Sequence, residues 1–207
     1  MRITVLGAAG MVGSRVVAEA ARRGHEPVAV HRRAPSDTSP TAVVADANDP
    51  DRMTELFAST DAVVAATRPA PGHEPTLVTT TTTLLDAAAK TGTRILVVGG
   101  AAPLRVPGDP DRIVLDSPEY VPPEYRAIAA ASAAQLDACR PHPADWVYLS
   151  PPALLEPGAR TGHYRRGTTT LIAAADGTSH VSAEDLAVAI LDELENPGAD
   201  RHFTVGY

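Results

Sequence analysis

The sequence predicts a doubly wound α/β fold, in which a mostly parallel sheet carries helices on both faces. Short apolar runs recur along the chain, and amphipathic helical patterns separate them. The 207 residues suffice for one such domain, which we expect to span 1–207. Because parallel strands join through right-handed crossovers, this alternation places helices on both sides of one sheet.

The predicted strands are apolar runs of the kind that parallel sheets bury on both faces. DWVYLS at 145–150 predicts a further strand, and HFTVG at 202–206 predicts a closing strand. The earlier runs lie at residues 3–6, 27–30, 42–45, 62–66 and 95–98.

Helical periodicity fills the intervals between these runs. Residues 79–83 are all threonine, which lowers helix propensity, but Leu77, Leu84 and Leu85 keep a helical spacing around them. Segment 101–123 is rich in proline, glycine and aspartate and predicts a loop across the sheet, whereas 151–178 shows little periodicity. The predicted helices span residues 11–23, 51–58, 76–91 and 122–140, and one begins at a capping Ser182 and runs to 195.

Composition excludes several classes of function. A net charge of −7 argues against nucleic acid as a partner. Cys139 is the only cysteine, so neither a disulfide nor a cysteine-based metal site forms, and we expect no metal. The first apolar run is too short for a signal peptide or a membrane span, so we expect a cytoplasmic protein with no membrane partner. We expect it to be a monomer or a homodimer. The sequence has two basic clusters, at 31–33 and 160–166. Each could bind a single anionic ligand, or its basic side chains could simply be solvated on a surface loop.

A glycine-rich turn follows the first strand and opens the first helix. In such a turn, Gly7 allows the tight bend, Gly10 lets a pyrophosphate approach the backbone, and Gly13 lets the helix pack against the sheet. The helix N-terminus then offers free N–H groups to the phosphates. The sequence therefore predicts a Rossmann-type dinucleotide site at Gly7, Ala8, Ala9, Gly10, Met11, Val12 and Gly13.

The end of the second strand indicates which dinucleotide binds. An NAD site usually has an acidic residue there, but this chain has His31, Arg32 and Arg33, whose cations favour a 2′-phosphate. NADP(H) is thus the expected cofactor, with NAD(H) as the alternative. Asp46 and Ala47, after the third strand, are candidates to lie near the adenine, although Asp46 is equally a turn residue.

The ends of the later strands predict the nicotinamide half of the site, since ligands of open α/β sheets bind outside the carboxyl ends of the strands. Close packing of helices on the sheet is the alternative explanation for these small residues. The candidates are Ala65, Ala66, Thr67, Gly99, Gly100, Ala101, Ser150, Pro151 and Pro152.

Motifs along the whole chain resemble those of atypical short-chain dehydrogenase/reductases. GAAGMVGSRV, LVVGGAAPL, VPPEYRAIA and SAEDLAVAILDELENP are similar to the NAD(P)H-binding, NmrA-like group, and to its members described as NADH-flavin reductases. Biliverdin reductase B, a flavin reductase, is a more distant resemblance. The resemblance implies hydride transfer from NADPH to free flavin, as a substrate, or to a similar planar conjugated acceptor. It also leaves open a non-catalytic NmrA-like redox sensor and a reductase or isomerase of secondary metabolism.

The chain departs from this group at the catalytic positions. The Tyr-x-x-x-Lys pair is absent, because Ala129 stands four residues after Tyr125 and Glu124 stands four residues after Tyr120. A histidine of biliverdin reductase B falls near Ser132. Tyr125, Ser132 and His163 are therefore weak catalytic candidates, and packing is the alternative for Tyr125. We expect the substrate region in loops 67–76, 101–123 and 151–178, with His73, His163, Tyr164 and Arg165 facing the substrate.

Overall fold

The computed structural model describes residues 1–34 and 42–207. None of the helices in this part of the chain is long and apolar enough to cross a bilayer. Two short 3-10 turns supplement the α-helices, at Val114–Asp116 and Pro123–Tyr125. The α-helices are α1 (Met11–Arg22), α2 (Pro50–Phe57), α3 (Thr76–Thr91), α4 (Arg126–Cys139) and α5 (Ala183–Glu195).

All seven strands expected from the sequence are present, and five short ones accompany them within residues 1–34 and 42–207. In chain order they are β1 (Arg2–Leu6), β2 (Glu26–His31), β3 (Ala42–Val44), β4 (Ala62–Ala65), β5 (Arg94–Val98), β6 (Arg105–Val106), β7 (Asp109–Ile113), β8 (Trp146–Ser150), β9 (Leu154–Glu156), β10 (Arg165–Gly167), β11 (His180–Ser182) and β12 (His202–Gly206).

Eight strands form the central sheet in the order β10-β12-β8-β5-β4-β1-β2-β3. Every neighbouring pair is parallel except β10 and β12, which are antiparallel. The prediction of a mostly parallel α/β sheet is confirmed. Two small sheets, β6 with β7 and β9 with β11, lie outside it.

Two apolar layers cover the faces of the sheet. Along β4, Ala62 and Val64 pack in the cluster that includes α1 and α5, whereas Val63 and Ala65 pack in the cluster that includes α2, α3 and α4. Successive side chains of a strand point to opposite faces, so a strand covered on both sides is continuously apolar. This is the doubly wound arrangement that the sequence predicts.

The threonine run forms part of α3 as expected, because the helix itself accepts its hydroxyl groups. Thr81, Thr82 and Thr83 each donate to the carbonyl four residues earlier, at 2.8, 3.1 and 3.1 Å. Thr80 instead donates to Asn48 Oδ1 at 2.7 Å and ties α3 to the loop before α2. Hydroxyl groups satisfied in this way make the β-branched run compatible with a helix.

Segment 101–123 is more ordered than a simple loop. It contains the β6–β7 hairpin and the first 3-10 turn, and its Leu104 and Val114 join Leu171 in a small apolar cluster. The predicted helix over 122–140 begins later, at Arg126, because the chain first makes the 3-10 turn that ends at Tyr125. These short elements escape sequence periodicity, which needs a longer window.

Candidate functional site

The chain reverses its winding between β1 and β4, which are neighbours in the sheet. After β1 it continues into α1 on one face, and after β4 it continues into α3 on the other face. The loops that leave these strands diverge at their carboxyl ends. In an open α/β sheet, such a point forms the crevice in which ligands bind.

Gly7 forms the floor of this crevice and cannot carry a side chain. Its φ of +78° lies in the left-handed region. A Cβ atom on Gly7 would lie 2.3 Å from the carbonyl oxygen of Ala66. The turn after β1 therefore passes directly over the end of β4.

Gly13 allows α1 to pack on the same turn. A Cβ atom there would lie 2.2 Å from the Gly7 carbonyl oxygen, so no larger residue fits without moving the helix. At Gly10 the equivalent contact is 3.2 Å, and its N–H donates to Gly7 O at 2.8 Å. The three glycines thus hold the N-terminus of α1 close above the crevice.

The N-terminus of α1 presents free donors. No side chain caps it and its first turn has no acidic residue. Among the described residues, no acceptor pairs with the N–H groups of Ala9, Met11, Val12 or Gly13. Unpaired N–H groups and the positive end of the helix dipole favour an anion, so this cradle fits the pyrophosphate of a dinucleotide.

Strand register brings the other predicted cofactor residues to this edge of the sheet. Leu6 pairs with Val30 on one side and with Ala65 on the other. The register continues from Ala65 to Val97 across β5 and from there to β8. The residues just beyond these positions line one edge, namely His31, Ala66, Thr67, Gly99, Gly100, Ala101, Ser150, Pro151 and Pro152.

Arg32 and Arg33 are exposed directly after β2, and no ion pair joins either of them to another described residue. Asp46 forms a turn, since its Oδ1 accepts from the backbone N–H and the side-chain amide of Asn48 at 2.9 and 3.0 Å. Ala47 packs at the margin of the apolar layer formed by α2, α3 and α4. The turn geometry explains Asp46 without a ligand, and its contact with adenine stays a prediction.

A buried polar network supports Gly99 and Gly100, and the sequence did not reveal it. The single hydrogen of the Tyr148 hydroxyl is shared between two acceptors, the Ser132 carbonyl at 2.9 Å and Gln135 Oε1 at 3.1 Å. Burial raises the pKa of Tyr148 far above its usual range, so it stays a donor. A Cβ on Gly99 would overlap this hydroxyl, and one on Gly100 would lie 2.7 Å from Ser132 Oγ. Close packing therefore requires both glycines.

Ser132 and Ser150 are both buried rather than open to a substrate. Ser132 Oγ donates to the Ala129 carbonyl within α4 at 2.8 Å. Ser150 Oγ lies 2.9 Å from His202 Nε2, and burial lowers the pKa of this imidazole to about 4. At neutral pH the ring is uncharged, so Ser150 and His202 form a neutral hydrogen-bonded pair beneath the end of β8.

The predicted substrate residues near 163 are held by contacts within the protein. The Tyr164 hydroxyl donates to Asp192 Oδ2 on α5 at 2.7 Å. The Arg165 guanidinium donates to the backbone carbonyls of Ala173 and Tyr207. His163 is exposed, and neither it nor Tyr164 or Arg165 lines the cleft that contains Tyr125. Their role toward a substrate stays a prediction.

A cleft of about 150 Å³ lies beside the crevice, between the loop after β4 and the start of α4. Tyr125 lies on its wall and is 53% exposed, which is compatible with half-buried packing as well as with a substrate contact, so its role stays a prediction. His73 is exposed in the same loop but does not line the cleft. Part of the remaining lining lies in loop 67–76, where the sequence predicts substrate contacts, namely Arg68, Pro69, Pro71 and Glu74. Sequence patterns gave no signal for Glu124 and Ile128.

Comparison with known proteins agrees with this geometry. The family model described as NAD(P)H-binding matches residues 7–197. The chain belongs to the NAD(P)H-binding family. The match begins at Gly7, the first glycine of the cradle, and assigns the family a nicotinamide dinucleotide as cofactor.

Relatives of this NAD(P)H-binding chain span its full length. Bacillus subtilis protein YwnB is 36% identical over 209 aligned residues, which cover 99% of this chain and 98% of YwnB. A candidate epimerase from Bacteroides thetaiotaomicron is 35% identical, with a TM-score of 0.88 and coverage of 100% and 96%. A candidate NADH-flavin reductase from Streptococcus pneumoniae is 28% identical, with a TM-score of 0.89 and coverage of 100% and 99%. The resemblance to atypical short-chain dehydrogenase/reductases is confirmed.

Proposed function

We propose that the chain is an NADPH-dependent oxidoreductase that transfers hydride to a free flavin or a similar planar conjugated acceptor. The observation that carries the proposal is the cradle of Gly7, Gly10 and Gly13 under free N–H groups, with an aromatic-walled cleft beside it. The Streptococcus pneumoniae relative, described as a candidate NADH-flavin reductase, supports the same reaction class.

Hydride transfer to a flavin is compatible with a chain that lacks the Tyr-x-x-x-Lys pair. A bound nicotinamide supplies a hydride, which carries two electrons to the acceptor. A flavin delocalises the resulting negative charge over its rings, so the transfer needs no side-chain acid. The chain lacks the Tyr-x-x-x-Lys pair that carbonyl reduction uses, and orientation of two flat rings is the main requirement that remains.

NADPH is the preferred cofactor in this proposal, because two exposed guanidinium groups follow β2. Each charge-assisted hydrogen bond to a 2′-phosphate contributes about 1.5–3 kcal/mol. Replacing both Arg32 and Arg33 with alanine removes at least two such bonds and should weaken NADPH binding by at least about a hundredfold, whereas NADH binding should change by less than about twofold. Arg2→Ala is the control, because Arg2 lies at the amino end of β1, away from the carboxyl ends of the strands that form the crevice. An unchanged ratio of the two affinities, measured by calorimetry, would exclude the role of both arginines.

The activity is tested by mixing the protein with NADPH and riboflavin or FMN without oxygen and following absorbance at about 340 nm. We expect oxidation of NADPH above the rate without protein. The outcome that overturns the proposal is binding of both cofactor redox states with equal affinity and no turnover of any acceptor, which is the behaviour of a redox sensor. The proposal places the reaction in the cytoplasm, and cell fractionation tests that location.

A further inference from the structure

The cleft beside the crevice is lined by apolar and aromatic side chains together with three charged ones. Tyr125 ends a 3-10 turn whose backbone is fixed by a hydrogen bond from its N–H to Pro122 O at 3.0 Å. Ile128 follows on α4, and Pro69 and Pro71 form the facing wall. Within the described part of the chain the Tyr125 hydroxyl makes no hydrogen bond, and the side chain is 53% exposed. A large ring left open on a rigid turn is suited to stacking with another ring.

The facing wall is also rigid before any ligand binds. The His73 N–H donates to Ala70 O and the Gly72 N–H donates to Glu74 Oε1, both at 3.0 Å. Thr76 Oγ1 closes the loop by donating to the His73 carbonyl at 2.7 Å. Binding in a preformed cleft loses little conformational entropy, so the contacts made there contribute directly to affinity.

The cleft adjoins the dinucleotide crevice through the loop after β4. A Cβ on Gly7 would lie 3.3 Å from the Thr67 nitrogen, and Arg68, the next residue, lines the cleft. An occupant of the cleft is therefore a neighbour of the cofactor. Its size is limited, because a cavity of about 150 Å³ has room for one six-membered aromatic ring.

The charge of the cleft is negative. Glu74 and Glu124 line it together with a single guanidinium, that of Arg68. Backbone N–H groups of Glu74 itself and of Gly72 lower the pKa of the Glu74 carboxyl, which is therefore ionised at neutral pH. One net negative charge about 8 Å from a phosphate dianion disfavours that anion by about fivefold in water at low salt.

Resting on the proposed function, we propose that this cleft seats one ring of the acceptor against Tyr125, and that its two glutamates select acceptors without an anionic tail. The remaining rings of the acceptor then extend from the cleft toward the cofactor. Riboflavin and FMN share one ring system and differ in a single phosphate, so they separate the ring contact from the charge selection. Riboflavin is the preferred substrate of the pair.

The charge selection is tested by the ratio of kcat/KM for riboflavin to that for FMN. At about 10 mM ionic strength we expect a ratio of about five, which falls toward one at about 0.5 M salt. Glu124→Gln removes one carboxylate and should lower the ratio by about threefold or more. Glu26→Gln, an equal change of charge at an exposed position on β2, should leave the ratio unchanged. A wild-type preference for FMN, or a ratio insensitive to Glu124→Gln, would overturn the selection.

The ring contact is tested by Tyr125→Ala and Tyr125→Phe. Stacking on an aromatic side chain strengthens the binding of flat rings such as nucleobases, so alanine should raise the KM for riboflavin by at least about fivefold, whereas phenylalanine should preserve it. Both variants should bind NADPH as the wild type does. Equal effects of alanine and phenylalanine, or none, would refute the stacking role.

A binding assay separates this inference from the proposed function. Riboflavin added to the NADP⁺-saturated protein cannot react, and quenching of its fluorescence reports its binding. One outcome is that riboflavin binds without any acceptor being turned over. If Tyr125→Ala then weakens that binding by at least about fivefold, the proposed function is wrong, but the ring contact in the cleft is supported. If turnover occurs but is insensitive to every change at Tyr125 and Glu124, the proposed function is supported and the acceptor does not bind in this cleft.

Discussion

Gly13→Ala sets two physical effects against each other at the first turn of α1. Alanine favours a helix over glycine by about 1 kcal/mol. The new Cβ, however, would lie 2.2 Å from the backbone oxygen of Gly7, which cannot rotate away as a side chain would. Restoring the 3.2 Å contact that Gly10 makes with the same oxygen requires α1 to move by roughly 1 Å.

The packing effect should exceed the helix preference. Because the contact is with fixed backbone atoms, overpacking should cost about 2–3 kcal/mol, the upper part of its usual range. Subtracting the helix preference of about 1 kcal/mol leaves a net loss of about 1–2 kcal/mol and a fall in Tm of about 3–6 °C. Because the same movement displaces the N–H groups of Met11 and Val12, NADPH affinity should fall by about tenfold. Thermal unfolding and calorimetric titration of the same preparation measure both quantities.

Ser14→Ala is the matched control, since it introduces the same residue one position later on an exposed part of α1. It should change the free energy of unfolding by less than about 0.5 kcal/mol and leave NADPH affinity intact. The reasoning is refuted if Gly13→Ala is as stable as the wild type, because helix propensity would then outweigh the contact. Loss of stability with unchanged NADPH affinity would instead show that the phosphates bind away from this turn.

Three further expectations concern stability. Burial lowers the pKa of His202 from 6.5 to about 4, so its neutral form stabilises the fold above pH 6.5 and this contribution disappears as the pH falls toward 4. Between about pH 7 and pH 4.5, the free energy of unfolding of His202→Gln, measured by urea denaturation, should therefore fall by about 2 kcal/mol less than that of the wild type. Glu19→Ala should cost about 3 kcal/mol, since the buried carboxylate pairs with three arginines, whereas exposed Glu26→Ala should cost less than about 0.5 kcal/mol. Asp185→Asn should loosen residues 157–165 in hydrogen exchange, because this carboxylate accepts from the N–H groups of Thr161 and Gly162 at 2.9 and 2.8 Å.

The fold and the cofactor cradle could be predicted because their signals are local. A strand followed at once by Gly7, Gly10 and Gly13 and by a helical pattern contains its own geometry within a few residues. The cap at Ser182 is similar, and its Oγ accepts from Asp185 N at 3.0 Å as expected. Such features need no information about distant parts of the chain.

The basic cluster at 160–166 shows why other features could not be predicted. Arg160 pairs with Glu19 at 2.9 Å, although 141 residues separate them. Arg166 pairs with Glu193 at 2.8 Å and lies over the ring of Phe203. A run of arginines has the same sequence pattern whether it binds a ligand or distant carboxylates of its own chain. Only the fold separates the two explanations, and for Arg160 and Arg166 it favours intramolecular ion pairs.

Gly99 and Gly100 carry less information about a ligand than Gly7 does, although all three follow strands at the same edge of the sheet. A side chain at Gly99 would overlap the Tyr148 hydroxyl, which Gln135 holds in place, so internal packing alone demands glycine. At Gly7 the requirement for glycine is also internal, but it coincides with N–H groups that no residue of 1–34 or 42–207 accepts from. Small residues point to a ligand site more strongly where such unsatisfied groups accompany them, because unpaired backbone donors in a crevice need water or a ligand as a partner.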